Sequence, residues 1–151
     1  MFDQNFADFI ECLNKNEVRF VLVGGYAAVI HGNTRTTGDM DFFVDRTEEN
    51  AKLLVKAIAD FGFGGLGFKA EDVMNDKMFI SMGIPPLKID ILTSIPAVSF
   101  KEVYEHAIDY EEENVKVKVI DIHHLIRNKT ASGRPKDMDD VRVLSKKVKK
   151  M

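Results

Sequence analysis

Residues 18–45, VRFVLVGGYAAVIHGNTRTTGDMDFFVD, constrain the fold more than any other stretch of the chain. An apolar run stops at Gly24-Gly25, a short amphipathic segment and a polar turn follow, and a second apolar run opens with two carboxylates, Asp39 and Asp41. Residues 18–23 are β-branched and aromatic and too few for a helix, so they read as a buried strand. Residues 26–30 have helix-compatible spacing, with Gly32 after His31 as a stop. A strand that feeds a helix through Gly-Gly lets backbone N–H groups approach an anion with no Cβ in the way, and the helix start adds partial positive charge. Phosphate is the natural guest, although a plain tight turn has the same sequence.

The second half of the stretch adds metal chemistry. Asp39 and Asp41 head a strand-like run, and residues two apart on a strand share a face, with Cβ atoms about 6.6 Å apart. Two divalent ions about 3.5–4 Å from each other fit between such carboxylates. The other reading, with Asp39 ending a turn and Asp41 an exposed strand residue, leaves two acids without partners at the head of an apolar strand. A third carboxylate lies in residues 87–92, LKIDIL, where Asp90 alternates with Ile89 and Ile91 and faces away from them. Beside the first pair it completes an oxygen cage for hard cations; pairing with Lys88 or facing water is the alternative.

Gly24-Gly25, thirteen intervening residues, Asp39-x-Asp41 and the later strand carboxylate Asp90 together resemble the nucleotidyltransferase superfamily that includes DNA polymerase beta. Arg35-x-Thr37-x-Asp39-x-Asp41 is similar to small prokaryotic members related to abortive-infection and toxin nucleotidyltransferases. A second block, from Lys129 through Arg134, Lys136 and Asp137 to Asp139, resembles the C-terminal element of that group, where basic residues close over the nucleotide. Tyr26 departs from the pattern, standing where many relatives carry Ser.

The resemblance spans about residues 18–144 and implies an α+β nucleotidyltransferase fold, a mixed sheet of about four to six strands flanked by helices, with a helical C-terminal end. It implies transfer of a nucleoside monophosphate from an NTP such as ATP to an acceptor hydroxyl, with release of pyrophosphate. Asp39, Asp41 and Asp90 would be the catalytic and metal-holding residues, for two Mg²⁺ ions or Mn²⁺ in their place. Gly24, Gly25, Arg35, Thr37, Lys129, Arg134 and Lys136 would bind the nucleotide, with Thr37 also read as shaping its turn. Asp137 and Asp139 read as capping the last helix or pairing with lysines. The acceptor is open among tRNA or other RNA, protein and small molecules. A role as the toxin of a toxin–antitoxin pair, with an antitoxin partner, goes with the resemblance. The alternative is a non-catalytic nucleotide- or partner-binding module on the same fold.

Length and composition fit one soluble globular domain covering residues 1–151, with a core over about 18–110 and a basic helical element over about 121–148: 45% of residues are hydrophobic and 30% charged. A single Cys, Cys12, excludes an internal disulfide and suits a reducing compartment. Asp3 and Asp8 interrupt any signal-peptide pattern, and no uncharged run is long enough for a membrane span, so a cytoplasmic protein is expected. Net charge is −3 but unevenly held: residues 1–113 carry 10 Lys/Arg and 20 Asp/Glu, residues 114–151 carry 11 and 4. The basic end offsets phosphate charge, leans on a nucleic acid, or is a solvated helix with a frayed lysine-rich tip.

The remaining elements follow from periodicity. Phe2, Phe6, Phe9, Ile10 and Leu13 define an amphipathic first helix. Asp45 or Thr47 caps a helix with Ala51, Leu54, Val55, Ile58 and Phe61 on one side. Gly62, Gly64, Gly65 and Gly67 read as a surface loop or a flap. Residues 77–82 and 87–92 form a hairpin through Gly83-Ile-Pro85-Pro86. Ser99 caps a helix, 111–113 form a solvated turn, 115–120 an edge strand, and Asp121 caps a helix that ends at Gly133-Arg-Pro135 before the last one. His123 and His124 have no Cys or carboxylate at zinc-ligand spacing and read as surface or packing residues, and His31 as structural.

Overall fold

A computed structural model describes residues 2–75, 79–84 and 87–151. The chain runs through α1 (Gln4–Lys15), β1 (Phe20–Val23), α2 (Gly24–Ile30), β2 (Asp39–Val44), α3 (Glu48–Ile58), a short α4 (Ala70–Met74), β3 (Phe79–Ile84), β4 (Leu87–Leu92), α5 (Phe100–His106), β5 (Ile108–Glu112), β6 (Val115–Val119), α6 (Ile122–Ser132) and α7 (Pro135–Lys149). The strands form one mixed sheet in the order β3-β4-β2-β1-β6-β5. β1 is antiparallel to β2 and parallel to β6, β2 is parallel to β4, and β3–β4 and β5–β6 are antiparallel pairs. This is the α+β, mixed-sheet architecture with a helical C-terminal end that the sequence implied.

The two-residue period of β2 divides the protein. Met40, Phe42 and Val44 are fully buried on one face. There Phe42 meets Phe9 of α1 and Phe20 of β1, with ring centroids 5.4 and 5.6 Å apart. Asp39, Asp41 and Phe43 take the other face, and Phe43 packs edge-on against Phe100 of α5 at 5.3 Å. Met40 and Phe42 thus alternate along the strand with the carboxylates and fix which way the acids point, because a one-residue slip would bury Asp41 under α1. Ile89 and Ile91 of β4 pair with Met40 and Phe42 and share their face, as the alternation around Asp90 required.

Local chemistry sets the helix starts. Thr47 accepts a hydrogen bond from the Asn50 N–H at 3.2 Å. Ser99 and Glu102 exchange hydrogen bonds in a capping box, and Asp121 accepts from the His123 N–H. His31 sits at the C-cap of α2 and its Nε2 donates to the Ile120 carbonyl at 2.7 Å, a structural role.

Three expectations change. Residues 115–120 are not at the sheet edge: β6 lies between β1 and β5, and β5 is the edge. β5 escapes a sequence reading because its acids make it look like a turn, yet Tyr110 pairs with Val117 while Asp109 and Glu111 face solvent. Glu113 and Asn114, both at positive φ, close the hairpin as a two-residue turn. The glycine cluster continues α3 as a π-type turn over Ala59–Phe63 and a 3₁₀ turn over Gly64–Leu66, with Gly62 at φ 109° making the kink. α4, unanticipated, follows it. Of the expected hairpin, Lys77, Met78, Pro85 and Pro86 lie outside the described residues. Among the described residues no helix is long and apolar enough to cross a membrane.

Asn50, fully buried at the third position of the first turn of α3, ties that helix to both central strands. Its Oδ1 accepts from the Arg19 N–H at 2.7 Å, and its Nδ2 donates to the carbonyls of Arg19 and Asp45 at 3.0 and 2.8 Å. Asn50→Ala removes a partner from the Arg19 N–H and the Asp45 carbonyl, while the Arg19 carbonyl keeps the Asp45 N–H, and is expected to lower unfolding stability by about 1–3 kcal/mol in urea titration, with an unchanged m-value.

Candidate functional site

Pairing across the sheet puts Val23, Asp41, Asp90 and Ser81 in one row, since Val23 is in register with Asp41, Asp41 with Asp90, and Asp90 with Ser81. Paired residues on neighbouring strands share a face, so the two aspartates, far apart in sequence, stand side by side. Asp39, one pleat further along β2 and in register with Lys88, completes the trio. Asp41 and Asp90, paired across neighbouring strands, are close enough for each carboxylate to feel the other's charge. Burial first, and then the charges of Asp90 and Asp39, push the Asp41 carboxyl up to about 6, against a smaller opposing pull from Lys129. Asp90 is buried; its Oδ1 accepts from the Ser81 hydroxyl at 2.8 Å, and its Oδ2 lies 3.7 Å from Lys88 Nζ. Both sequence readings of Asp90 therefore meet in one place, beside the acid pair and beside Lys88.

The floor of the cleft explains the glycine pair. Gly24 sits at φ 70°, and a Cβ there would come within 2.1 Å of Asp41 Oδ2. A Cβ on Gly25 would fall 2.8 Å from Thr37 Oγ1 and 2.9 Å from the Arg35 guanidinium. α2 begins at these glycines, two residues earlier than its side-chain spacing suggested. Tyr26 turns the other way, packing edge-on against Phe6 at 5.4 Å, so it belongs to the core and not to the cleft.

The basic wall comes from α6 and α7, and its centre is a residue that the sequence reading passed over. Asp140 is fully buried. It accepts from Arg35 through both carboxylate oxygens at 2.8 and 2.9 Å, from Asn33 Nδ2 at 2.7 Å, and from Lys129 Nζ at 2.8 Å. Hydrogen bonds and charge from Arg35 and Lys129 outweigh burial and hold its pKa below the usual carboxylate range. Lys129 also lies 3.4 Å from Asp137. Burial opposes ionisation of Asp137, but the Arg134 hydrogen bond and the Lys129 charge bring its pKa down to about 2. Asp137 also accepts from the Arg134 backbone N–H, the helix-start role read for it, whereas Asp139 pairs with Arg142 in solvent. A signal for Asp140 exists in the sequence: with Asp137 and Leu144 it occupies the i, i+3, i+7 buried stripe of α7, where an acid needs a partner.

All ten sequence-derived residues line one cleft of about 500 Å³. Asp39, Asp41 and Asp90 stand on the sheet, Gly24, Gly25, Arg35 and Thr37 on the β1–α2 junction and the following loop, and Lys129, Arg134 and Lys136 on the C-terminal helices. Ser94, Ile95, Pro96, Asn128 and Ser132 complete the wall without having been anticipated. The donor set, oxygen only and crowded with like charge at Asp41, suits a hard divalent cation that would relieve that repulsion. Among the described residues no group of three His, Cys, Asp or Glu side chains is already arranged to hold a metal ion, and Asp90 is engaged by Ser81 and Lys88.

A family model described as nucleotidyltransferase of unknown function (DUF6036) matches residues 4–149. The fold is similar to the crystal structure of a proposed nucleotidyltransferase from Thermotoga maritima, with a TM-score of 0.58 and 14% identity over 97% of this chain and 91% of that one. No curated protein matches the sequence.

A carboxyl whose native pKa stands above its unfolded value opposes folding once ionised. Stability from this source is therefore greatest at low pH and declines as pH rises from about 4 through about 6. Asp41→Asn is expected to raise the thermal midpoint at pH 8, where wild-type Asp41 is charged, and to leave it unchanged below pH 3.5. Paired melts across this range measure the difference, and equal midpoints at pH 8 would contradict the electrostatic account.

Proposed function

Taking as premise that the chain belongs to this family of nucleotidyltransferases of unknown function, we propose that it transfers a nucleoside monophosphate from an NTP to an acceptor hydroxyl in a Mg²⁺-dependent reaction. The observation that carries the reading is the in-register meeting of Asp41 with Asp90, beside Asp39, on the floor of a cleft walled by Lys129, Arg134 and Lys136.

Asp39 and Asp41 would hold Mg²⁺, or Mn²⁺ in its place, with Asp90 completing a second position. When bound, the two ions supply charge neutralisation on the phosphates and lower the pKa of the attacking hydroxyl. Asp90 faces the acceptor side of the pair and takes or orients the hydroxyl proton. The acceptor oxygen forms a bond to the α-phosphorus as the bond to the bridging oxygen breaks, and pyrophosphate leaves. Gly24 and Gly25 present bare backbone and let the phosphates approach closely. Arg35 and Lys129, locked onto Asp140, contribute fixed positive charge that needs no reorganisation. Arg134 and Lys136 are exposed and able to reach the triphosphate; among the described residues Lys136 makes no ion pair.

Incubation with each α-labelled NTP and total cell RNA or lysate tests the reading, and the species that becomes labelled identifies the acceptor as RNA, protein or small molecule. Asp39→Ala and Asp41→Ala are expected to abolish Mg²⁺-dependent labelling while the far-UV spectrum is retained; equal labelling by wild type and both variants removes the proposal. Lys136→Ala is expected to raise the apparent KM for NTP with little change in kcat, and an unchanged KM assigns it to the solvated face. If the transfer arms a toxin restrained by an antitoxin partner, induced expression alone arrests growth and Asp41→Ala does not.

A further inference from the structure

The aspartates and the basic wall handle phosphate and metal, which leaves one end of the cleft without a task. Leu92 stands on β4 two residues past Asp90, on the same face and in register with Phe43. The cleft floor therefore changes from carboxylate to hydrocarbon one pleat beyond the acid pair, about 6.6 Å along the strand. Ile95 and Pro96, in the loop after β4, continue this apolar surface. Asn128 and Ser132, four residues apart and so on one face of α6, stand along it. An apolar surface edged by a few polar groups beside a phosphate site has the make-up of a nucleobase pocket.

Asn128 is held there in one orientation. Ile95 and Val98 bridge across a tight turn centred on Pro96 and Ala97, and Ala97 takes φ 68°, a left-handed conformation that a residue with a side chain adopts at some cost. The Pro96 carbonyl of this turn accepts a hydrogen bond from Asn128 Nδ2 at 3.0 Å. A carbonyl can only accept, so the amide nitrogen is committed to the turn and the free end of the side chain is the acceptor Oδ1. Among the described residues no donor reaches Oδ1, and no buried side-chain polar atom lacks a partner, so this oxygen accounts for exposure of Asn128 to the cleft. Building on the transferase reading of the cleft, we propose that Asn128 selects the base of the bound NTP, with Oδ1 accepting from the exocyclic amino group of adenine or cytosine and Leu92, Ile95 and Pro96 lying against the ring. Guanine and uracil carry a carbonyl oxygen at the corresponding position. That oxygen would meet Oδ1 lone pair to lone pair, and Asn128 cannot turn its amide to donate without abandoning Pro96.

Equilibrium dialysis of the full chain in Mg²⁺ against the α,β-methylene analogues of ATP, CTP, GTP and UTP measures selection without transfer. The ATP analogue, the CTP analogue or both are expected to bind about 10-fold more tightly than the GTP and UTP analogues, and comparison of the first two says which amino-bearing base fits. The preferred analogue with hydrogen in place of its amino group is expected to bind about 10-fold more weakly to the wild type. Asn128→Ala is expected to bind that pair equally, whereas a purely structural role for Asn128 would weaken both members alike and keep their ratio. Should Asn128→Ala fail to fold, the amino-group comparison in the wild type decides. Equal binding of the four analogues, preference for a carbonyl-bearing base, an amino-group effect that survives Asn128→Ala, or no binding at all overturns the proposal. Selective binding with no label passed to any acceptor keeps the pocket and removes the transferase reading, and labelling without base selection does the reverse.

Discussion

Three carboxylates on one face of a sheet repel one another, and the structure around the cleft is arranged about that repulsion. Parallel pairing of β2 with β4 forces Asp41 and Asp90 into register, while the aromatic anchors Phe42 and Phe43 deny β2 any slip that would separate them. Burial and mutual charge then raise the Asp41 pKa to about 6, so a bound cation would relieve the crowded charge at the pair. A site built in this way holds its unfavourable charge in readiness for a ligand that relieves it, and stability is the quantity that gives way.

The compensating positive charge does not float in solvent. Asp140, buried beneath the basic wall, gathers Arg35 from the loop before β2 and Lys129 from α6 into one hydrogen-bonded cluster, and Asn33 joins them. Removing two charges from water is costly, but here each charge has a partner, and among the described residues no buried side-chain polar atom lacks a hydrogen bond. The arrangement makes the C-terminal helices part of the cleft and not an appendage: the same carboxylate that fixes α7 also fixes the loop leading into Asp39. It also gives physical content to the split of charge along the chain. Two of the four acids among residues 114–151, Asp137 and Asp140, are buried and spent on internal pairs, so the basic residues dominate the solvent-facing surface of that segment.

Periodicity carried far where one face is wet and the other dry. The stripe of α1, the capping residues Thr47, Ser99 and Asp121, the strand at Asp39–Val44 and the opposition of Asp90 to its isoleucine neighbours were all legible, because each depends on residues close in sequence. β5 was not, since IDYEE pairs its backbone while its acids stay in solvent, and a strand held mainly by its ladder leaves a weak hydrophobic pattern. The glycine segment was misread for a related reason: without side chains to pack, nothing in its composition separates a loop from distorted helical turns.

Taken alone, the sequence determined the kinds of groups present and their local geometry: a glycine pair where a strand meets a helix, two acids on one strand face, a third on another, and cations near the end. These follow from chain connectivity and the pitch of each element. Tertiary structure alone decided which groups meet. Strand order and register brought Asp90 to Asp41, helix docking brought Asp140 under Arg35 and Lys129, and the packing of α5 on α6 set His106 beside His124. Those meetings arise from long-range burial and pairing, whose partners are chosen by the whole fold and leave no trace in any local spacing.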